Sequence, residues 1–234
     1  MIRSGAAREV LIVASPKATQ GLRALLDAAR AADVPVTQSP RAILDALAAD
    51  HQGVVARLRE GSEQAAAPPL SERELAGWDF SDDAVVVILD GITDPQNLGA
   101  AARSAEAAGA AMLVTRTRRS ADVSPAAVRA SAGALLHLPH ARVANITRAI
   151  ERLQDAGFWV VGLDGNAEMT IYDEPRPQGR VAVVVGSEGE GMARLVRERC
   201  DALVALPMRG RVGSLNASAS LAAVLYAYVL PPRS

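Results

Sequence analysis

A mostly parallel α/β sheet with helices on both faces, preceded by a small α/β domain, is the fold class that this 234-residue sequence predicts. Three observations carry the prediction. After residue 84, short apolar runs such as "AVVVILD", "AAMLVT", "GFWVVGL", "RVAVVVG" and "ALVALP" alternate with helical segments. Strands apolar on both faces belong to a parallel sheet covered by helices. Ahead of them, "REGSEQAAAPPLSERELAGWDFSDD" lacks an apolar period and carries Pro68-Pro69, as a linker does. Before that linker, residues 9–58 show a shorter strand–helix alternation. The expected domains are therefore 1–60, a linker over 61–82, and 83–234.

In the first domain "EVLIVA" reads as a strand, and "TQGLRALLDAARAAD" has helical spacing with Thr19 as its cap. "VPVTQ" is a second strand, and "SPRAILDALAAD" places Ser39 at the cap and Pro40 in the first turn of a helix. "GVVARL" closes the unit as a strand, and the linker holds one short helix, "SERELAG". In the second domain "LLHLP" is read as a further strand. The helices are "NLGAAARSAEAAG", "SPAAVRASAG", "NITRAIERLQDAG", "GMARLVRERC" and "SLNASASLAAVLYAYVL".

Composition narrows the function classes. Half the residues are apolar, so the chain is globular rather than disordered. The formal charge of −1 argues against nucleic-acid binding by bulk electrostatics. Lys17 is the sole lysine; a GC-rich genome explains the arginine bias, and phosphate binding explains it only where arginines cluster in loops. Scarce aromatics exclude a broad base-stacking platform. Cys200 is the only cysteine, which excludes internal disulfides, and His51, His137 and His140 lack ligand spacing, so no metal is expected. No apolar run approaches the roughly 20 residues that span a bilayer, and the apolar stretch near the start is too short for a signal peptide. A cytoplasmic protein is expected.

In parallel sheets ligands bind where strands end at their carboxyl side, which directs attention to the loops after Leu89, Val185 and Leu206. The first, "DGITDPQNLGAAARSAEAAG", has a turn at Asp94-Pro95, Asn97 as a helix cap and Gly109 as a stop. Arg103, in a helix of mostly Ala, Gly and Ser, has no such structural reason. The second, "VAVVVGSEGEGM", matches neither the dinucleotide fingerprint nor a phosphate cradle, and Glu188 and Glu190 would repel a pyrophosphate. A cationic ligand without phosphate, such as S-adenosylmethionine, suits it; so does a bare sharp turn needing glycine. In the third, "LPMRGRVGSLNASASL", Ser214 or Asn216 can cap the last helix, while Arg209 and Arg211 are either solvated charges or phosphate ligands.

Taken together the three loops resemble the three motifs of the SpoU (TrmH-like) branch of the SPOUT RNA methyltransferases, over about residues 84–230 and in the right order. "HQGVVA" at 51–56 is similar to the end of the ribosomal-protein-like α/β domain that often precedes this catalytic domain. The resemblance implies a C-terminal trefoil knot, where residue patterns alone suggest an ordinary doubly wound sheet. It also implies an S-adenosylmethionine pocket built by the knot, and a homodimer packed there. Relatives of the two-domain type begin with a further strand and helix before the segment matching "REVLIVA", whereas Met1 comes almost at once here, which leaves a trimmed start, a misassigned initiator or a reduced RNA-binding domain as the alternatives.

Roles follow position by position from the resemblance. Arg103 matches the catalytic arginine and Asn97 its polar partner; Glu188 matches the second-motif glutamate; Ser214 and Asn216 match the third-motif pair. Gly186, Leu206 and Leu215 match positions that hold the adenosine part of the cofactor, with Met208 and Gly210 shaping the same wall. Arg209 and Arg211, with Arg116 and Arg118 of "RTRRS", are the candidates for RNA phosphates. The implied reaction is attack of a ribose 2′-oxygen on the sulfonium methyl, most like that on a guanosine of large-subunit ribosomal RNA. Guanidinium rarely deprotonates, so aligning phosphate and 2′-oxygen while stabilising charge suits Arg103 better than acting as base. The alternatives are the same chemistry on transfer RNA or on an antibiotic-target ribosomal nucleotide, a non-catalytic RNA-binding relative, and a nucleotide-binding metabolic enzyme.

Overall fold

The computed structural model describes residues 7–14, 19–48, 51–58, 67–175, 177–211 and 213–230. The chain divides into two units, residues 1–65 and 66–234.

In the first unit, β1 (Ala7–Val13), α1 (Gln20–Ala31), β2 (Val36–Ser39), α2 (Arg41–Leu47) and β3 (Val54–Leu58) follow one another. The sheet order is β2-β1-β3, with β1 parallel to β2 and antiparallel to β3. Thr19 caps α1, its side chain accepting from Leu22 N at 3.2 Å. The expected cap on the second helix is not made: Ser39 completes β2 and Pro40, which offers no side-chain acceptor, stands at the cap position. Lys17 and residues 59–66 of the linker lie outside the described residues.

The second unit opens with α3 (Glu72–Ala76), started by a reciprocal capping box between Ser71 and Glu74. Then come β4 (Val85–Asp90), α4 (Pro95–Ala107), β5 (Met112–Arg116), α5 (Pro125–Ala130), β6 (His140–Val143), α6 (Ile146–Asp155), β7 (Trp159–Leu163), β8 (Val181–Gly186), α7 (Arg194–Arg199), β9 (Ala202–Val204) and α8 (Ala217–Val224). The last helix continues as a wider π-helical turn over Leu225–Val229. All pairings in the six-stranded sheet are parallel, in the order β6-β5-β4-β8-β7-β9. Alternate residues of β4 serve opposite cores: Val85, Val87 and Leu89 pack with α4 and α8, Val86 and Ile88 with α6. Each such side chain, fully buried, stabilises the fold by about 2 kcal/mol.

"LLHLP" is not a strand. Gly133, at φ +91°, turns the chain out of α5 into a 3₁₀ turn at Ala134–Leu136, and pairing resumes when Leu113 N donates to Pro139 O at 2.8 Å. Successive strands progress outward from β4 to β6, and the chain then crosses to β7 before returning to β8. The direction of winding thus reverses between β4 and β8, where parallel sheets form ligand crevices.

Candidate functional site

Three strand-end loops meet at that reversal. After β4, Asp94 caps α4 by accepting from Gln96 N at 3.1 Å, and Pro95 fills the first turn. Asn97 is therefore not the cap, as its neighbourhood in sequence suggests. Its side chain faces the other loops and donates through Nδ2 to Glu188 Oε1 at 3.2 Å.

After β8 the chain reverses within five residues, with Ser187 and Gly191 exchanging both backbone hydrogen bonds at 3.1 and 2.9 Å. Gly189 and Gly191 adopt φ of +81° and +70°, the left-handed region open to glycine, so the glycines are needed for the turn itself. Gly186 has a different constraint: a Cβ there would lie 2.0 Å from the carbonyl carbon of Gly191, because the loop folds back across it.

The third loop leaves β9, which β7 separates from β8. It returns far enough for Asn216 to join the cluster. Asn216 Oδ1 caps α8 by accepting from Ser218 N at 2.9 Å, which orients its amide nitrogen toward Asn97 Oδ1 at 2.8 Å and toward Glu188 Oε1. One carboxylate oxygen thus accepts from two amides on two other loops.

Beside this cluster lies a cleft of about 730 Å³, within the range of small-molecule sites. Gly186, Leu206, Met208, Ser214 and Leu215 line it, as do Glu188 and Asn216; Gly210 is not in its wall. Arg103 is exposed on α4 and makes no hydrogen bond or ion pair among the described residues. Six residues beyond Asn97, it points about 120° away from it around the helix axis, and the structure does not join it to the Asn97–Glu188–Asn216 cluster. Arg118, Arg209 and Arg211 are exposed. Arg116, partly exposed, brings its Nε to 3.3 Å from Oδ1 of buried Asp90.

The sequence reading overlooked the loop after β7. Leu163, Asp164, Gly165 and Asn166 line the cleft, and Asp164 is ion-paired to Arg197 of α7. The strand-end rule applies to β7 as to its neighbours, so this loop was within reach of that reasoning. Elsewhere, His140 pairs with Thr115 Oγ1 at 2.8 Å, and burial, followed by the nearby Arg142 charge, pushes its pKa down to about 4. Burial, with the Asp201 and Asp90 charges, pushes the Cys200 thiol up to about 12, leaving it inert. Among the described residues no group of three or more His, Cys, Asp and Glu side chains could hold a metal ion. No helix among them is long and apolar enough to cross a membrane.

The donor set fits S-adenosylmethionine. Glu188 and Glu190 line the turn after β8, the wall's arginines, Arg194 and Arg197, are ion-paired to Glu198 and Asp164, and Val185, Leu206 and Leu215 with glycine backbone complete the lining. That combination suits a sulfonium and an adenosine.

Fold and cleft thus define a parallel α/β ligand-binding domain whose site is assembled at the sheet's reversal point from three distant segments. The chain belongs to the SpoU rRNA methylase family, whose profile matches residues 84–226, and an RNA 2′-O ribose methyltransferase substrate-binding profile matches residues 2–64. It is similar to the 23S rRNA (guanosine-2′-O-)-methyltransferase RlmB of Salmonella typhi, with 41% identity over 177 residues, 75% of this chain and 70% of that protein. The RlmB of Photobacterium profundum is 39% identical over 196 residues, 82% of this chain and 77% of that protein. Among solved structures, the SpoU methyltransferase AviRb from Streptomyces viridochromogenes in complex with AdoMet is 28% identical at a TM-score of 0.68, covering 95% of this chain and 82% of that one. An RNA 2′-O ribose methyltransferase reaches a TM-score of 0.72 at 26% identity, covering 94% and 79%.

Proposed function

We propose that the protein is an S-adenosylmethionine-dependent methyltransferase acting on a ribose 2′-hydroxyl of a guanosine in 23S ribosomal RNA. The observation that carries the reading is the hydrogen-bonded cluster of Asn97, Glu188 and Asn216, one residue from each motif, at the edge of the cleft. The RlmB relatives supply the substrate class.

Gly186, Leu206, Leu215 and Met208 would hold the cofactor, which supplies an electrophilic methyl group when bound. Glu188 fixes both amides and so holds the three loops in register. Ser214, exposed at the cleft wall, faces the incoming ribose. Arg103 has its five donors uncommitted among the described residues; it aligns an RNA phosphate with the 2′-oxygen and stabilises the negative charge that develops there. Arg118, Arg209 and Arg211 extend the contact to further phosphates.

The family resemblance extends the proposal to a trefoil knot in the C-terminal segment and to a homodimer. The pairing of Asn216, beyond β9, with Asn97, beyond β4, supports the former. An rRNA substrate supports reading the protein as cytoplasmic. The test is labelled-methyl transfer to 23S rRNA lacking its natural methyl marks, followed by mapping. One new 2′-O-methylguanosine is expected; methylation confined to transfer RNA, or none, rejects the assignment.

A further inference from the structure

The end of β4 holds a buried charge that the proposed reaction does not use. Asp90 is 3% exposed, and a carboxylate in such a place needs strong partners. It has two. Arg116, at the end of neighbouring β5, brings Nε to 3.3 Å from Oδ1 as an ion pair without hydrogen-bond geometry, and the backbone N–H of Ala193 donates to Oδ2 at 2.8 Å. Ala193 is the residue at which the loop after β8 ends and α7 begins. In the sheet register Asp90 stands directly beside Gly186, the residue across which that same loop folds back. The loop is thus fixed at its start by the close approach over Gly186 and at its end by Asp90.

We propose that Asp90, held by Arg116, is a positioning residue for the methyl donor: it tethers Ala193 and so sets the wall of the cleft formed by residues 187–192. Asp90 does not line the cleft. Its effect passes through the backbone, and the inference rests on reading the cleft as the S-adenosylmethionine site. Arg142 steadies the other end of the arrangement, donating to the carbonyls of Arg116 at 3.4 Å and Thr117 at 3.0 Å and pairing with Asp122 at 2.5 Å.

Ala193→Pro removes the tethering N–H and sets the ring Cδ where its proton was, so the Asp90 carboxylate is pushed off the loop. Ala193 is exposed, and its φ of −58° and ψ of 143° are those of proline. Calorimetry with S-adenosylmethionine should show the dissociation constant rising at least about tenfold, the equivalent of one buried hydrogen bond. The KM for the donor should rise with it while the KM for RNA holds. The paired variant Asp90→Asn with Arg116→Gln removes both charges but leaves an amide oxygen for Ala193, and should bind within about threefold of wild type. Equal affinity in Ala193→Pro, or loss of affinity in a folded paired variant, overturns the tether.

Hydrogen exchange on the wild type needs no substitution. The Ala193 amide should be protected, and more so with S-adenosylmethionine present; an amide that exchanges freely and ignores the donor overturns the proposal. A wild type that binds no S-adenosylmethionine sinks the reading of the cleft itself, whereas a wild type and Ala193→Pro that bind it equally sink only the tether.

Discussion

Asn216 does two jobs with one side chain, and they can be separated. Its Oδ1 caps α8, while its Nδ2 joins Asn97 and Glu188. Asn216→Asp keeps the cap and replaces the donor with an oxygen facing Glu188, so methyl transfer should collapse while the melting temperature moves little. Asn216→Ala loses both functions and should cost about 1 kcal/mol in stability as well; equal activity in the two variants and wild type would contradict the roles given to the amide. Arg103 offers the opposite pattern, since it makes no hydrogen bond or ion pair among the described residues. Arg103→Ala should lower the transfer rate by about a thousandfold or more, with donor affinity and melting temperature unchanged. Near wild-type turnover would remove Arg103 from the mechanism. Arg103 was legible in the sequence as a polar side chain without a structural task, and Asn216 as a cap of the last helix. What was not legible is the bonding among Asn97, Glu188 and Asn216, which is long-range, nor the assignment of Arg116 to Asp90.

At the level of elements, α4 positions the first loop because it packs very closely on α5. A Cβ on Gly99 would lie 2.5 Å from Ala127 O and 2.5 Å from Ala130 Cβ, so backbone and not only side chains would have to move. Gly99→Val should lower stability by about 2–3 kcal/mol and shift Asn97 out of reach of Glu188, read as a fall in melting temperature and in donor affinity together. A variant with unchanged melting temperature would show that the helices have slack that the structure denies. Strands such as β4 and β8 were plain in the sequence, since their branched apolar runs are buried on both faces. "LLHLP" misled for the same reason: Leu135 and Leu138 are apolar because they are buried under α4, in a turn rather than a strand. The cap of α4 was misplaced because Asp94-Pro95 and Asn97 are both good start signals, and only packing across loops decides between them.

Across the whole molecule, the pH dependence of stability should carry the signature of His140. The ring is buried neutral, with Nδ1 lacking a partner and Nε2 committed to Thr115, so the folded state resists the second proton. Its folded pKa of about 4 lies below the ordinary 6.5, so the unfolded chain binds the proton first. Stability is therefore full above pH 6.5 and falls as pH drops toward 4, by roughly 3 kcal/mol if the whole shift is expressed. His140→Gln should flatten the acid limb of a melting-temperature profile over that window; parallel profiles would assign the acid sensitivity to other groups. The order of strands was beyond the sequence reading, because a parallel sheet leaves no local mark of which strand lies beside which. That order explains why segments as distant as 97, 188 and 216 share one site.

A structure of the protein determined with S-adenosylmethionine bound tests the central claim most directly. The donor should lie in the cleft against Gly186, Leu206 and Leu215, with its reactive end toward Ser214 and Asn216. A donor bound elsewhere, with that cleft vacant, would contradict the account.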